Sequence, residues 1–357
     1  MLAPKNMIEI INHFKGKGEI AYTKTKDACF EEVQYPNLID VKGQLFAKRA
    51  LEIAAAGAHN MLMIGPPGSG KSMLARRLPG IIPAMTKEEI LETSVIASIS
   101  GNLEQDGLVT TRPFRSPHCS ASLPAMIGGG KLAKPGEITL SHLGVLFLDE
   151  LPEFQRNVLE SLRQPVEDRV VTISRVNSHI SYPANFQLIA AMNPCKCGYY
   201  GNDSLQCNRV PKCAMDYKSK ISGPLFDRFD IQVEMQEIDA ISVKYEKEGE
   251  NSSKVLERVK NAREIQLKRY KDIKIRTNSE LEGVELELHT ELDETSKDVL
   301  YKAMQKFKFS MRGLNKILKV ARTIADLRES DCIRESDIKE ALNFRVMQKQ
   351  CYIFIYK

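Results

Sequence analysis

Three short apolar runs stand out along the chain, and each has the length of a buried strand. They read NMLMIG, GVLFLDE and NFQLIAAMN, and they end at Gly65, Glu150 and Asn193. Continuous apolar runs are typical of parallel strands that helices cover on both faces. The first run follows a helical pattern that ends near Gly57, and a glycine-rich loop and a second helix come after it. The pattern therefore predicts an α/β domain built on a parallel sheet.

Two other patterns extend this prediction. The alternating stretch RVVTISRVNSHISYPA predicts a β-hairpin that projects from the core. Between Ser296 and Phe344 the apolar residues keep to one helical stripe, which predicts a small all-α domain: Leu314, Ile317, Leu318, Ala321, Ile324 and Ala325. We expect an N-terminal remnant or linker at 1–36, the α/β core at 37–235, a helical linker at 236–285, the helical domain at 286–347 and a tail at 348–357.

The loop after the first apolar run matches a phosphate-binding motif. GPPGSGKS fits G-x-x-x-x-G-K-[ST] and lies between a predicted strand and a predicted helix, as the motif requires. We expect Lys71 to reach the β- and γ-phosphates of ATP and Ser72 to bind Mg²⁺. A chance glycine-rich turn is the alternative. The predicted nucleotide-binding residues are Gly65, Pro66, Pro67, Gly68, Ser69, Gly70, Lys71, Ser72 and Asp149.

Two acids at the end of the second run supply the rest of an ATPase site. Asp149 ends an apolar strand, where its carboxylate can bind Mg²⁺ beside the phosphate loop. Glu150 is then the natural general base for an attacking water. Acids at a strand end can instead cap the next helix, which is the alternative for this pair. The motifs together predict phosphoryl transfer from ATP to water.

Composition and charge narrow the setting. The chain has 357 residues, 43% of them apolar and 27% charged, which is ordinary for a globular protein. Its net charge of +5 permits nucleic acid as a partner without arguing strongly for it. No apolar run is long enough to span a membrane, and the N-terminus does not resemble a signal peptide. With eight cysteines and no export signal, we expect a cytoplasmic protein.

Four of the eight cysteines lie close together after the third apolar run. Cys195 and Cys197 are one residue apart, and Cys207 and Cys213 follow within the same stretch. Four thiolates in one loop can close a tetrahedral Zn²⁺ site, although the spacings differ from the usual two to four residues. Free reduced thiols are the main alternative, and a redox or iron–sulfur role is a weaker one. A nucleophilic cysteine is not required, because Glu150 already supplies a base.

Two arginines complete the candidate ATPase machinery. Arg228 ends the segment SGPLFDR, and Arg312 lies at the start of a predicted helix with Ser310 as its N-cap. Arginine at such positions stabilises the charge that develops on a γ-phosphate, one from a neighbouring subunit and one from the helical domain. An ordinary surface arginine is the alternative for each.

Long segments resemble one known family. They include DVKGQLFAKRALEIAAAGAHNMLMIGPPGSGKSMLARRLPGIIP, RPFRSPHCSAS, IGGGKLAKPGEITLSHLGVLFLDELPEF, FQLIAAMNPCKCGYYG, ISGPLFDRFDIQV and RGLNKILKVARTIADL. The chain resembles the magnesium-chelatase-like AAA+ ATPases of bacteria, the YifB/ComM family, over most of residues 37 to 345. The resemblance implies a P-loop AAA+ core with a parallel sheet and inserted β-hairpins, followed by a small all-α lid domain.

The resemblance also implies roles for particular residues. It implies a homo-hexameric ring that hydrolyses ATP with Mg²⁺. Asn193 would be the sensor-1 residue, Arg228 the arginine finger and Arg312 the sensor-2 residue, while the DVKGQ segment would line the adenine pocket. Relatives carry an inserted hairpin, to which GGGKLAKPGE corresponds, and both hairpins would point toward the central pore. Candidates for contact with a nucleic-acid backbone are Lys131, Lys134, Arg175 and His179, with ordinary solvated charges as the alternative.

Members of the family carry an additional N-terminal domain that resembles the C-terminal fold of Lon protease. The chain begins close to where that domain would end, so a separate polypeptide that supplies this domain is an expected partner. The resemblance favours a motor that drives branch migration of DNA during recombination or DNA uptake. A magnesium-chelatase-type subunit that remodels a protein partner is the alternative, and a degenerate nucleotide-binding scaffold is a third. The intact Lys71, Asp149, Glu150, Asn193 and Arg228 argue against the scaffold.

Overall fold

A computed structural model describes most of the chain and divides it into two units. It describes residues 4, 6–20, 34–103, 107–130, 133–175, 178–200, 209, 211–237 and 249–355, with side chains except at 174–175, 178 and 346–355. In the first unit, Met1–Gln34, helix α1 (Met7–Phe14) begins after the N-cap Asn6. The second unit, Tyr35–Lys357, contains the sheets and the remaining described helices.

A parallel sheet forms the centre of the second unit. In chain order the strands are β1 (Met61–Ile64), β2 (Phe114–Arg115), β3 (Gly128–Gly129), β4 (Lys134–Pro135), β5 (Val145–Leu148), β6 (Val170–Arg175), β7 (Ser178–Pro183), β8 (Gln187–Met192) and β9 (Ile231–Glu234). Within the described residues, five of them pair in parallel in the order β2-β5-β8-β1-β9. The carboxyl ends of β1, β5 and β8 therefore meet at one edge of the sheet.

Both faces of this sheet are buried, which explains why its strands read as continuous apolar runs. Along β1, Met61 and Met63 pack into one apolar cluster, and Leu62 and Ile64 pack into a second cluster on the other face. The same alternation holds along β5 and β8. Side chains alternate between faces along a strand, so a strand covered on both sides has apolar residues at most of its positions.

Helices cover the two faces. In chain order they are α2 (Leu45–Gly57), α3 (Lys71–Ala75), α4 (Lys87–Ser100), α5 (Leu123–Ile127), α6 (Glu137–Leu140), α7 (Arg156–Ser161), α8 (Arg163–Asp168), α9 (Lys212–Ser219), α10 (Gly223–Phe226), α11 (Ser252–Arg269), α12 (Gly283–His289), α13 (Glu294–Phe307), α14 (Met311–Leu327) and α15 (Glu335–Ile355). Local sequence fixes several ends. Thr86 and Glu89 form a capping box at the start of α4, and Gly101 ends it at φ 80°.

Two antiparallel hairpins project from the core, as the sequence predicts. β3 pairs with β4, with Gly128 opposite Pro135, and β6 pairs with β7 from Val170 opposite Pro183 onward. The residues between the paired strands, 130–133 and 176–177, include positions outside the described residues. Tyr182 anchors the second hairpin to the first, because its buried hydroxyl donates a hydrogen bond to the carbonyl oxygen of Ala133 at 2.9 Å.

The C-terminal helices share a core with the sheet domain. The predicted stripe on α14 is confirmed, since Ile317, Ala321 and Ile324 are buried in the same apolar cluster as residues of α2. Ser310 is the N-cap of α14, and its hydroxyl accepts a hydrogen bond from the N–H of Gly313 at 3.2 Å, as predicted. The helical part therefore packs against the α2 face of the sheet.

The predicted fold class is confirmed: the structure is an α/β core with a parallel sheet and inserted hairpins, followed by helices. The finer domain boundaries at 37–235, 236–285 and 286–347 stay predictions. In the part of the chain that the structure describes, no helix combines the length and the apolar character that membrane crossing requires.

A buried histidine lies where β5 and β8 begin. The Nδ1 atom of His142 accepts a hydrogen bond from the N–H of Asn185 at 3.0 Å, so Nε2 carries the proton and faces Glu92 at 3.2 Å. Burial lowers the pKa of His142, and the carboxylate of Glu92 opposes this effect. Adding a proton at Nδ1 would break the hydrogen bond to Asn185. The folded protein thus favours neutral His142.

This arrangement predicts acid lability. Because the folded-state pKa of His142 lies below 6.5, the unfolded chain takes up the proton first, and stability falls as the pH drops below about 6.5. We expect the free energy of unfolding to decline by up to about 1.4 kcal/mol per pH unit for this one group. Urea unfolding of the His142→Gln variant between about pH 7.5 and pH 5.5 should show a shallower decline. The exposed His118→Gln control should keep the full slope, and equal slopes in all three proteins would contradict the prediction.

Candidate nucleotide-binding site

The phosphate loop lies at the carboxyl edge of the sheet, between β1 and α3. Gly68 and Gly70 adopt φ values of 78° and 87°, in the left-handed region that favours glycine. Gly65 is required for a different reason, because a Cβ there would lie 2.5 Å from the carbonyl oxygen of Met235. Open space surrounds the position of a Cβ at Gly68 and Gly70, which leaves the backbone accessible to a ligand. The loop therefore fits a phosphate group.

Lys71 folds back onto its own loop. Its Nζ atom donates hydrogen bonds to the carbonyl oxygens of Gly65 and Pro66, both at 2.7 Å, and to the side-chain oxygen of Asn193 at 3.2 Å. Burial lowers the pKa of Lys71 to about 8, and the carboxylate of Asp149 acts in the opposite direction. A lysine at the centre of a phosphate loop is thus held by acceptors that a phosphate can replace.

Ser72 and Asp149 form a pair of oxygen ligands. The hydroxyl of Ser72 donates to a carboxylate oxygen of Asp149 at 2.5 Å. The other carboxylate oxygen of Asp149 accepts from the N–H of Glu150 at 2.9 Å, which fixes the orientation of the group. Mg²⁺ is bound through one or two such oxygens together with phosphate and water oxygens. This donor set therefore fits Mg²⁺ bound with a nucleotide.

Glu150 stands next to this pair. Its backbone is in the left-handed region at φ 51°, at the start of the 3₁₀ turn Leu151–Glu153, and its side chain makes no capping hydrogen bond. The side chain of Glu150 is exposed. Its carboxylate, together with that of Glu153, adds to the effect of burial in raising the pKa of Tyr217. The capping alternative for Glu150 is therefore not what the structure shows, and its role as a base stays a prediction.

Two residues distant in sequence also reach the phosphate loop. Asn193 follows β8, and the register that places Met192 opposite Ile64 brings it beside Lys71. Gln44 belongs to the DVKGQ segment, and its side-chain NH₂ donates to the carbonyl oxygens of Gln236 at 2.6 Å and Ser69 at 3.3 Å. The adenine pocket predicted for this segment thus lies next to the loop, although the role itself stays a prediction.

The structure does not bring Arg228 to the carboxyl edge of the sheet, where the phosphate loop lies. Arg228 lies just before β9, and its Nη2 atom is 2.6 Å from a carboxylate oxygen of Glu167. Its Nε atom is buried without a hydrogen-bond partner among the described residues. Four residues of β1 separate the two edges of the sheet by roughly 13 Å. Arg228 is therefore remote from the phosphate loop of its own chain.

Arg312 lies near Arg228, at the amino edge of the sheet, where the strands begin. It is in the first turn of α14 and is exposed. Arg228 and Arg312 line one cavity of about 440 Å³, whose walls include Asn60, Gly144 and Gln187 at the starts of strands. Further basic residues line it, among them Arg263, Arg276 and Lys319. Burial, followed by the charge of Arg112, lowers the pKa of Arg263 to about 10. The lining contains eight basic and six acidic side chains, so basic groups are in slight excess.

A buried ion pair fixes the two arginines relative to each other. Lys316 lies one helical turn after Arg312, and its Nζ atom is 2.9 Å from a carboxylate oxygen of Asp230. Burial alone would raise the pKa of Asp230, but Lys316 and His59 hold it well below its usual range. Asp230 follows Arg228 by two residues, so the pair links the segments that carry both arginines.

The cysteines form a cluster beside the phosphate loop. The sulfur atoms of Cys195, Cys197 and Cys213 all lie within 4.8 Å of one another, and those of Cys195 and Cys197 are 3.0 Å apart. Cys195 is fully buried, Cys213 is partly buried and Cys197 is exposed. Cys207, the fourth predicted ligand, lies outside the described residues. The structure thus brings three of the four predicted metal ligands together.

The candidate DNA-contact residues are described only in part. Lys134 is exposed on β4, and His179 is exposed on β7. Lys131 and the side chain of Arg175 lie outside the described residues. The two described side chains belong to the two projecting hairpins, as predicted, and their contact with DNA stays a prediction.

Comparison with known proteins defines the class. The chain matches the family model described as magnesium chelatase, subunit ChlI, over residues 37–243, and the model of the C-terminal part of that subunit over residues 249–345. Together the two models cover most of the chain. The protein therefore belongs to the magnesium-chelatase-like AAA+ ATPases, a family that implies binding of ATP and Mg²⁺.

Curated relatives place it within the YifB/ComM group. The chain is 47% identical over 313 residues to "Competence protein ComM" of Haemophilus influenzae. The aligned region covers 87% of this chain and 60% of that protein. It is 43% identical over 336 residues to "Uncharacterized protein YifB" of Escherichia coli. This aligned region covers 94% of the chain and 65% of that protein. This chain thus spans less than two thirds of the length of these relatives.

Sequence reasoning missed contacts between segments that are far apart along the chain. Lys316 pairs with Asp230 across 86 positions of the sequence. Gln44 donates to the phosphate loop at Ser69, which is 25 positions away. Neither pair belongs to a motif with fixed spacing. Asp230, which directly precedes the apolar strand that begins at Ile231, was the available signal, because a carboxylate that such a strand buries requires a partner.

The lowered pKa of Lys71 predicts how nucleotide binding depends on pH. A phosphate binds the charged amine, and the free protein loses that charge as the pH rises through about 8. We expect the Kd for ATP to rise above about pH 8, by up to about tenfold per pH unit. The Lys71→Arg variant binds less tightly but stays charged, so its Kd should change much less over the same range. Parallel profiles for both proteins would contradict the prediction.

Proposed function

We propose that this chain is the ATP-hydrolysing part of a hexameric ring motor that acts on DNA. The observation that carries the proposal is the meeting of Lys71, Ser72, Asp149 and Asn193 at one edge of the sheet. Arg228 and Arg312 line one cavity at the opposite edge, where basic side chains slightly outnumber acidic ones. A phosphate site at one edge and cations at the other suit a ring in which each subunit completes the site of its neighbour.

Hydrolysis uses groups already in place at the carboxyl edge. Mg²⁺ bound with ATP would neutralise charge on the β- and γ-phosphate oxygens, and Ser72 and Asp149 would hold it. Lys71 exchanges the carbonyl oxygens of Gly65 and Pro66 for phosphate oxygens. Glu150, exposed beside Asp149, accepts the proton of the attacking water, and the amide of Asn193 orients that water.

Arg228 and Arg312 act on the ATP of a neighbouring subunit. The length of the strands separates this edge from the phosphate loop of the same chain by roughly 13 Å, and both arginines line one cavity there. Arg228 must first leave Glu167, which holds it at 2.6 Å. This geometry favours head-to-tail contacts around a closed ring, which we propose to be a homo-hexamer.

DNA is the proposed substrate. The relative from Haemophilus influenzae is named a competence protein, which agrees with the role in DNA uptake that the family resemblance implies. The two hairpins, with Lys134 and His179 exposed on them, are the proposed contact elements. The alternative, a chelatase-type subunit that remodels a protein, is favoured by the description of the matching family models.

We also propose that the cysteine cluster binds Zn²⁺. In a tetrahedral site with Zn–S bonds of about 2.3 Å, the sulfur atoms lie about 3.8 Å apart. The three described sulfur atoms are within 4.8 Å of one another, so small side-chain rotations suffice to hold the ion. Cys207 is the proposed fourth ligand. A structural ion at this position joins the start of α9 to the loop after β8.

The motor proposal predicts that DNA stimulates hydrolysis. We expect forked or four-way DNA to raise the rate of ATP hydrolysis by at least about fivefold, because coupling between two sites is ordinarily of that size or larger. The Glu150→Gln variant should bind ATP with an unchanged Kd and hydrolyse it about 100-fold or more slowly. A rate that DNA leaves unchanged but a protein partner raises would favour the chelatase-type alternative. Normal hydrolysis by Glu150→Gln would contradict the assignment of the base.

The arrangement of the arginines predicts complementation between inactive variants. Arg228→Ala should bind ATP yet lose about 1,000-fold in hydrolysis rate, as for arginine fingers in general. When it is mixed with Glu150→Gln, roughly a quarter of the interfaces in a random ring combine an intact Glu150 with an intact Arg228. We expect hydrolysis to recover to a comparable fraction of the wild-type rate, measured after co-assembly. No recovery, in mixtures shown to co-assemble, would place Arg228 in its own subunit's site or outside catalysis.

A further inference from the structure

The loop that carries the cysteines touches the phosphate loop directly. Gly198 follows Cys197 and is buried, with φ +88°. A Cβ atom at this position would lie 2.5 Å from Cδ and 2.7 Å from Cγ of Pro67. Pro67 is the third residue of GPPGSGKS, so the backbone of Gly198 packs against the ring of a phosphate-loop residue. Only a glycine permits this close approach.

Gly198 belongs to the same turn as two residues of the cysteine cluster. The N–H of Gly198 donates to the carbonyl oxygen of Cys195 at 3.0 Å, which closes a turn containing both Cys195 and Cys197. Asn193, which binds Lys71, precedes this turn by only two residues. Cys213 approaches the same sulfur cluster from α9. An ion bound by these sulfur atoms would tie the turn to α9 and so hold Gly198 against Pro67.

We infer that the metal state of the cysteine cluster controls the nucleotide affinity of the adjacent phosphate loop. The ligand is a thiophilic divalent cation, Zn²⁺, held by Cys195, Cys197 and Cys213. The inference rests on the proposed ATP and zinc sites and adds a regulatory link between them. With the ion bound, the turn supports the phosphate loop through Pro67. Without it, the turn loosens and the loop positions phosphate less well, since shifts of about 1 Å are costly in such sites.

The cluster is also accessible to reagents that would change its state. Cys197 is exposed and Cys213 is partly exposed, whereas Cys195 is fully buried. Metal in solution can therefore reach the cluster at Cys197. A cysteine binds Zn²⁺ as the deprotonated thiolate, so metal binding competes with protonation and with oxidation of the sulfur. The site can thus report zinc supply or oxidation to the ATP site.

The first test compares the full chain with and without zinc. Purified protein loaded with Zn²⁺ should contain about one ion per chain by metal analysis. Treatment with a zinc-selective chelator, followed by restoration of Mg²⁺, should raise the Kd for ATP by about tenfold, and added Zn²⁺ should reverse the change. Cys197→Ser should lose zinc and show the same weak binding. The exposed Cys332→Ser control, which lies outside the cluster, should behave like the wild type.

The second test separates the contact from the metal. Gly198→Ala should retain zinc but weaken ATP binding by about tenfold, because its new methyl group would displace Pro67. Gly101→Ala is the matched control, since Gly101 has φ +80° with open space around it. Both variants carry the same type of backbone strain, so a difference in their Kd for ATP reports the contact with Pro67.

The outcomes are distinct. Less than roughly 0.1 zinc per chain after loading would overturn the inference together with the zinc site. The protein could instead bind zinc fully while neither chelation nor Gly198→Ala changes its Kd for ATP. That result would overturn only the link between the cysteine cluster and nucleotide affinity, and it would leave the proposed ATPase intact. Zinc-loaded protein that does not bind ATP at all would overturn the proposed function as well. Parallel losses of affinity on chelation and in Gly198→Ala, with both controls unchanged, would support the inference.

Discussion

The parallel pairing of β1 with β8 is the interaction on which the candidate site depends. Its register places Ile64 opposite Met192, so the residues that follow, Gly65 and Asn193, leave the sheet side by side. A slip of one residue would turn every side chain of β8 to the other face. Asn193 would then point away from Lys71, and the cysteine turn would leave the phosphate loop. Backbone hydrogen bonds between two buried strands thus hold together groups that are more than a hundred residues apart in sequence.

At the amino edge of the sheet, an ion pair joins the strands to the helical domain. Asp230 is buried there with Lys316, and the backbone N–H of Asn60 also donates to its carboxylate. A buried carboxylate without such partners would be strongly unfavourable, so the helical domain cannot move away without exposing or orphaning this group. This ion pair therefore joins the segments that carry the two arginines. Apolar packing between α2 and α14 supports the same geometry.

Much of this could be predicted from the sequence, for reasons that can be named. The three core strands were predictable because burial on both faces leaves an uninterrupted apolar run, and Ser310 was predictable because helix capping is local. The place of Lys71 and Ser72 in a phosphate loop was predictable because the loop has a motif with fixed spacing. The place of Asp149 was predictable because it ends an apolar run of strand length. The meeting of Arg228 with Arg312, and of Gly198 with Pro67, was not, because tertiary packing joins these residues and no local rule links them.

The hydrogen bonds of Lys71 have a consequence for turnover. Its ammonium group is already satisfied by the carbonyl oxygens of Gly65 and Pro66. Arrival of a triphosphate therefore exchanges partners instead of adding them, and the net gain in binding free energy is smaller than the new contacts alone would suggest. When phosphate departs, Lys71 can form its hydrogen bonds to the same carbonyl oxygens again. For an ATPase, which releases its product in every cycle, a resting state that competes with the ligand favours that release.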